Sequence, residues 1–199
     1  EDMRAPQLTT ALSAHKSLFY LTDSSGAEYV LAIGSGITRD QGHEADAIQT
    51  TLFQTFLAGP SDIIAPTQQP VLVNNDTHSG SNFSLNLSAP CLAADQCNVV
   101  KILDTEGNGY IVKTGQNFGS SYLHYDRGLQ DSLDSKSEKT ESGYWDVGYI
   151  DHGNYTANAS YEYVLLPNTT SQELQNFRPG DKYTVLSSAN GVHGVLHQS

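Results

Sequence analysis

Tyr144–Leu174 reads YWDVGYIDHGNYTANASYEYVLLPNTTSQEL, and its patterning decides the fold class. Trp145, Tyr149, Ile150, Tyr161, Tyr163 and Leu165 supply bulky apolar positions, and Asp151–Asn154 breaks the run between them. Within Ala159–Leu165 the order Ala-Ser-Tyr-Glu-Tyr-Val-Leu alternates at period two, which predicts a half-buried strand. Thr169–Leu174 then places Ser or Thr shortly before Glu173, the pattern of a capping box at a helix start.

Outward from this stretch, the chain reads as short strands separated by turns. Ser17–Thr22 and Glu28–Ile33 flank the turn Asp23–Gly26 and form an expected hairpin, and Gly34–Gly36 permits a bend or bulge. Ile48–Phe56 is a strand predicted to place Ile48, Thr50 and Leu52 on one face and Gln49, Thr51 and Phe53 on the other. Pro70–Val73 reads as a short strand. Asn98–Leu103 and Tyr110–Lys113 form a hairpin across DTEGNG, with positive φ expected at Asn108-Gly109. Asn117–Tyr125 is a further strand region, and Arg127–Glu141 reads as a charged loop. Pro179-Gly180 is a turn, and Lys182–Ser187 pairs with Val192–His197 at the end. With no repeat and no linker, residues 1–199 are expected to form one all-β domain, a large antiparallel β-sandwich.

Composition agrees. Hydrophobic residues make up 38% and charged residues 16%, and the balance is rich in Ser, Thr, Asn, Gln and Gly. That mixture suits exposed sheet faces and polar turns, while the Tyr, Leu, Ile and Val content is too high for disorder. A net charge of −12 repels nucleic acid and other polyanions at long range. No apolar run has the length of a membrane helix. The start at Glu1 reads as a mature or excised product. Six Asn-x-Ser/Thr sequons, at Asn75, Asn82, Asn86, Asn154, Asn158 and Asn168, are what chance gives in so Asn-, Ser- and Thr-rich a chain. Cys91 and Cys97 are spaced too widely for a redox pair and lack the partners of a zinc site; a small disulfide loop or two free thiols remain.

Chemical motifs are sparse. Asp104–Gly109 begins like a calcium loop, but the twelfth position, which needs a bidentate carboxylate, is Gly115, so a plain hairpin turn is expected. Asp151-His152 is read as structural, with the carboxylate fixing the imidazole and the loop. No nucleophile elbow, phosphate loop, dinucleotide fingerprint or histidine pair with metal spacing occurs, so no cofactor and no metal are expected.

Three blocks in order carry a family resemblance: the hairpin Ser17–Gly36 running into LAIGSGI, the strand QTTLFQ at Gln49–Gln54, and YIDHG followed by NASYEYVLLP. A weaker fourth is Lys182–Leu196, KYTVLSSANGVHGVL. Together they resemble the central β-sandwich of the chondroitin AC, chondroitin ABC, hyaluronate and xanthan lyases, with TTLFQ most like the chondroitin ABC type. The resemblance implies a galactose-mutarotase-like sandwich forming one wall of a substrate cleft. A helical toroid, which this chain lacks, would form the rest and carry most of the catalytic groups. It implies a secreted or periplasmic protein, which favours a Cys91–Cys97 disulfide.

The implied reaction is β-elimination at a uronic acid of an acidic polysaccharide such as chondroitin sulfate or hyaluronan, with the chain alone inactive. The family strand resembling ETTLFQ contributes a Glu, and the matching residue here is Gln49, which keeps hydrogen bonding but no charge. Gln49 is therefore the candidate catalytic position, with Gln54 and Arg39 as candidate substrate-binding neighbours. The alternative is a stand-alone carbohydrate-binding or adhesive sandwich whose Trp145 and Tyr side chains stack on sugar rings.

Overall fold

Ala159–Leu166 forms a strand whose central residues are buried on both faces, from Tyr161 to Val164. The half-buried strand expected from its alternation is thus corrected, because a third layer covers the face that carries Glu162 and Val164. The computed structural model describes residues 2–4, 12–39, 47–58, 71–73, 76–78, 82–87, 99–114, 121–134, 139–154, 156–189 and 191–198. Cys91 and Cys97 lie outside these residues.

The strands are β1 (Asp2–Arg4), β2 (Leu12–Thr22), β3 (Glu28–Arg39), β4 (Gln49–Ala58), β5 (Val71–Val73), β6 (Asp76–His78) and β7 (Phe83–Asn86). They continue as β8 (Val99–Leu103), β9 (Gly109–Lys113), β10 (Tyr122–Asp134), β11 (Lys139–Asp151), β12 (Ala159–Leu166), β13 (Tyr183–Ala189) and β14 (Val192–His197). The one α-helix among the described residues is α1 (Ser171–Asn176). Eight strands form one antiparallel sheet in the order β1-β2-β3-β12-β9-β8-β5-β6, four form a second in the order β4-β11-β10-β7, and β13-β14 is a separate hairpin.

Alternation sorts the apolar side chains into two cores. Ala32, Val100, Ile102, Val112, Tyr161 and Tyr163 of the large sheet meet Phe53, Leu123, Tyr125 and Ile150 of the small one, with Ile48 and Leu87 flanking its strands β4 and β7. On the other face of the large sheet, Leu31, Ile33, Ile111 and Val164 pack beneath Leu174 of α1 and Tyr183 of β13. The molecule is therefore a large antiparallel sandwich with a helix-and-hairpin third layer. Glu162 is tolerated inside the second core because Lys113 approaches its Oε2 to 2.8 Å and the Tyr183 hydroxyl donates to its Oε1 at 3.1 Å.

Glycines let aromatic rings lie flat on these sheets. A Cβ on Gly34 would fall 2.1 Å from Cε1 of Tyr161, and one on Gly148 would fall 2.3 Å from Cε1 of Phe53. The bulge anticipated at Gly34–Gly36 is present. Gly36 has φ of 63°, and the register of β3 slips there against both neighbours.

Three expectations are corrected. Phe53 lies on the face of Ile48 and Thr50, not that of Gln49, because Leu52 is the extra residue of a bulge between Thr51 and Phe53. The positive φ of the Asp104 turn is at Gly107, at 85°, not at Asn108-Gly109. The charged stretch expected to loop from Arg127 to Glu141 instead extends β10 and β11 into one long hairpin, paired without a break from Tyr122 opposite Asp151 to Asp134 opposite Lys139. Its backbone ladder persists without apolar alternation, and each strand follows the partner already fixed by the core. The expected capping box is present: Thr170 Oγ1 accepts from the Glu173 N–H, and the Thr170 N–H donates to the Glu173 carboxylate.

Candidate functional site

Gln49 and Gln54 are exposed on β4, five residues apart. In an unbroken strand that odd spacing would put them on opposite faces. The Leu52 bulge restores the phase, so both project from the outer face of the four-stranded sheet. Register then defines their neighbours. Gln49 lies opposite Asp151, Thr51 opposite Tyr149, Gln54 opposite Val147 and Phe56 opposite Trp145. One strand further, Tyr122 lies opposite Asp151, His124 opposite Tyr149, Asp126 opposite Val147 and Gly128 opposite Trp145. Directly opposed side chains share a face and approach closely.

At one end of this face the Asp151 carboxylate accepts from the Gly153 N–H at 2.7 Å. Its other oxygen lies 3.8 Å from His124 Nε2. His124 stacks on Tyr149 at 5.1 Å with 11° between the rings, and the Tyr122 ring lies 6.2 Å from it. The Tyr149 hydroxyl donates to Asp126 at 3.0 Å; burial and that carboxylate push the phenol up to about 12, so it stays a donor at neutral pH.

At the other end Phe56 meets Trp145 edge-on at 5.1 Å. Phe56 covers the place where Gly143 lacks a side chain, 2.7 Å from where a Cβ would be. A Cβ on Gly128, across from Trp145, would meet no described atom within 4 Å. The described side chains of the face include two acids, Asp126 and Asp151, and no Lys or Arg.

The reading of Asp151-His152 is corrected in its detail. Adjacent strand residues point to opposite faces, so while Asp151 faces out, His152 is buried between the sheets. Its Nε2 lies 2.9 Å from Thr50 Oγ1 and its Nδ1 3.2 Å from Ser121 Oγ. Two hydroxyls, and not the carboxylate, fix the imidazole, and burial pulls it down to about 4, leaving it neutral. Also on the inner face, Asp146 is fully buried, held by both Nε and Nη2 of Arg127 and by the Tyr125 hydroxyl at 2.9 Å.

Arg39 ends β3 in the larger sheet, half-buried, its backbone N–H donating to Thr156 O at 3.1 Å. The fold thus brings Gln49 and Gln54 together and places Arg39 on the opposing sheet. The Asp104 carboxylate is turned into its own loop, accepting from the backbone N–H groups of Glu106 at 2.9 Å and Asn108 at 2.8 Å, as a hairpin turn requires. Sequence reasoning missed His124, Tyr122, Asp126 and Phe56. The first three stand at period two, the one signal that could have found them, but cross-strand register decides what they face.

The described residues thus form a broad antiparallel sandwich, backed by a helix and hairpin, whose smaller sheet presents acids, amides and aromatic rings on its outer face. The chain belongs to polysaccharide lyase family 8, as its super-sandwich domain: the family model matches residues 2–178. The chain is 25% identical over 173 residues to the chondroitin sulfate ABC endolyase of Proteus vulgaris, covering 84% of this chain and 15% of that enzyme. It shares its fold with a chondroitinase AC lyase, at a TM-score of 0.66 and 23% identity, over 94% of this chain and 24% of that one. It likewise matches a Paenibacillus xanthan lyase, at a TM-score of 0.67 and 19% identity, over 98% of this chain and 18% of that one. The chain therefore spans less than a quarter of the length of each of these relatives.

Proposed function

We propose that this chain is the sandwich wall of the substrate cleft in a lyase that cleaves a uronic-acid-containing, glycosaminoglycan-type polysaccharide by β-elimination. The observation that carries this reading is the lyase-family match along residues 2–178. The nature of the Proteus vulgaris relative supports a chondroitin-sulfate-like substrate. In such a reaction the uronate carboxylate is neutralised so that the C5 proton becomes acidic, a base removes it, and an acid protonates the leaving oxygen. The described side chains of the small sheet's outer face include no Lys or Arg for that neutralisation, and in this reading a helical domain outside these residues supplies it, in a secreted or periplasmic enzyme.

Gln49 occupies the position at which the family resemblance implies a glutamate. Asp151 lies directly across the strand pair, with its Cβ ~5 Å from that of Gln49. In this reading Asp151 holds the charge that Gln49 lacks and positions the basic groups of the facing domain, with Gln54 and Arg39 as candidate substrate contacts. In the longest natural product of the gene that contains residues 1–199, Asp151→Asn is expected to lower kcat by ~10-fold with a smaller change in KM. Gln49→Glu is expected to raise turnover and to restore part of the loss in Asp151→Asn. Unchanged kcat/KM in both variants would remove this pair from the mechanism.

A further inference from the structure

The far end of the same sheet face carries an aromatic feature apart from the Gln49–Asp151 pair. Trp145 and Phe56 form an edge-on wall, and beside them Gly128 leaves open floor. Asp126 stands next along β10, and Gln54 next along β4. Phe56 is 52% exposed, although burying such a ring is what folding ordinarily favours. From Tyr149 to Trp145 is four residues, or about 13 Å along β11, so this wall is separate from the Tyr122–His124–Tyr149 cluster.

We propose that this trough binds neutral pyranose rings of a polysaccharide, the hexose or hexosamine units and not the uronates. Aromatic faces stack on the apolar face of a sugar ring, while Asp126 and Gln54 accept and donate hydrogen bonds to its hydroxyls. Charge selects the occupant. The face presents Asp126 and Asp151 with no Lys or Arg among its described side chains, so a uronate laid in the trough meets like charge and no compensating cation among the described residues. A neutral ring meets none of that cost. The inference extends the lyase reading by naming which sugar units touch this face, and it is tested by binding rather than turnover, so either can fail without the other.

Trp145 is the chain's one tryptophan, so its fluorescence reports the trough directly. The 199-residue chain is titrated with a tetramer of N-acetylglucosamine as the neutral probe and with oligogalacturonate as the uronate probe. The expected result is a saturable fluorescence change with the neutral probe, little altered by salt, and none with the uronate. Gly128→Leu fills the floor at a position with room for a side chain and is expected to weaken binding about tenfold with thermal stability retained. Phe56→Ala is expected to weaken it similarly. The proposal is overturned if the neutral probe leaves the fluorescence unchanged, if the uronate binds as well or better, or if stably folded Gly128→Leu and Phe56→Ala proteins both bind like the parent chain.

Discussion

His152 sits neutral between two hydroxyls, and its proton equilibrium is therefore coupled to folding. Its value in the folded chain is about 4, against 6.5 for the free side chain. Between those values the unfolded chain binds more protons, so stability rises with pH through that window. It is fully present above pH 6.5 and is lost as pH falls toward 4, with a loss on the order of 3 kcal/mol. Urea denaturation at pH 7 and pH 4.5 should show the fall. His152→Gln, which keeps a donor and an acceptor toward Thr50 and Ser121, should flatten it. An equally steep loss in that variant would assign the acid sensitivity elsewhere. The residue scale is also where the sequence misleads most. Asp151 and His152 are adjacent in the chain, yet one faces solvent and the other the core, so their apparent pairing dissolves. The histidine that does approach Asp151 comes from His124, 27 positions away in the chain.

Among the elements, α1 is too short to persist alone, since six residues cannot offset the cost of helix nucleation. Three contacts hold it. Thr170 and Glu173 close the capping box, Leu174 is buried beneath it, and Lys101 donates to the carbonyls of Gln175 at 2.7 Å and Phe177 at 3.0 Å. Thr170→Ala removes one cap acceptor and is expected to cost about 1 kcal/mol, read as a shift in urea midpoint without a change in slope. No shift would mean that packing alone holds the helix.

This cap was legible in the sequence because its chemistry is local, and so were the hairpins at Asp23–Gly26 and Asp104–Gly109. The long β10–β11 pair was not, because its outer residues are charged and its extension follows a neighbouring strand. The bulge at Leu52 was equally hidden. One extra residue there reverses which side chains accompany Gln49, and nothing in QTTLFQ marks it.

For the whole molecule, the sequence pattern announced a sandwich but not its third layer. Period-two alternation in β12 reports one apolar face, and the burial of its other face depends on Tyr183 and α1, which come later in the chain and over the top. The lyase blocks pointed to the family, and the family model matches the domain over residues 2–178. Which side chains share the open sheet face could be read only once register was known. Whether this domain serves a polysaccharide lyase, as proposed, is decided by product formation. The longest natural gene product containing residues 1–199 and the 199-residue chain alone are each incubated with chondroitin sulfate while the ultraviolet absorbance of unsaturated ends is followed. Growing absorbance is expected from the longer protein and none from the isolated chain. No unsaturated product from the longer protein with chondroitin sulfate, hyaluronan or any other uronic-acid polymer, or turnover by the isolated chain, would contradict it.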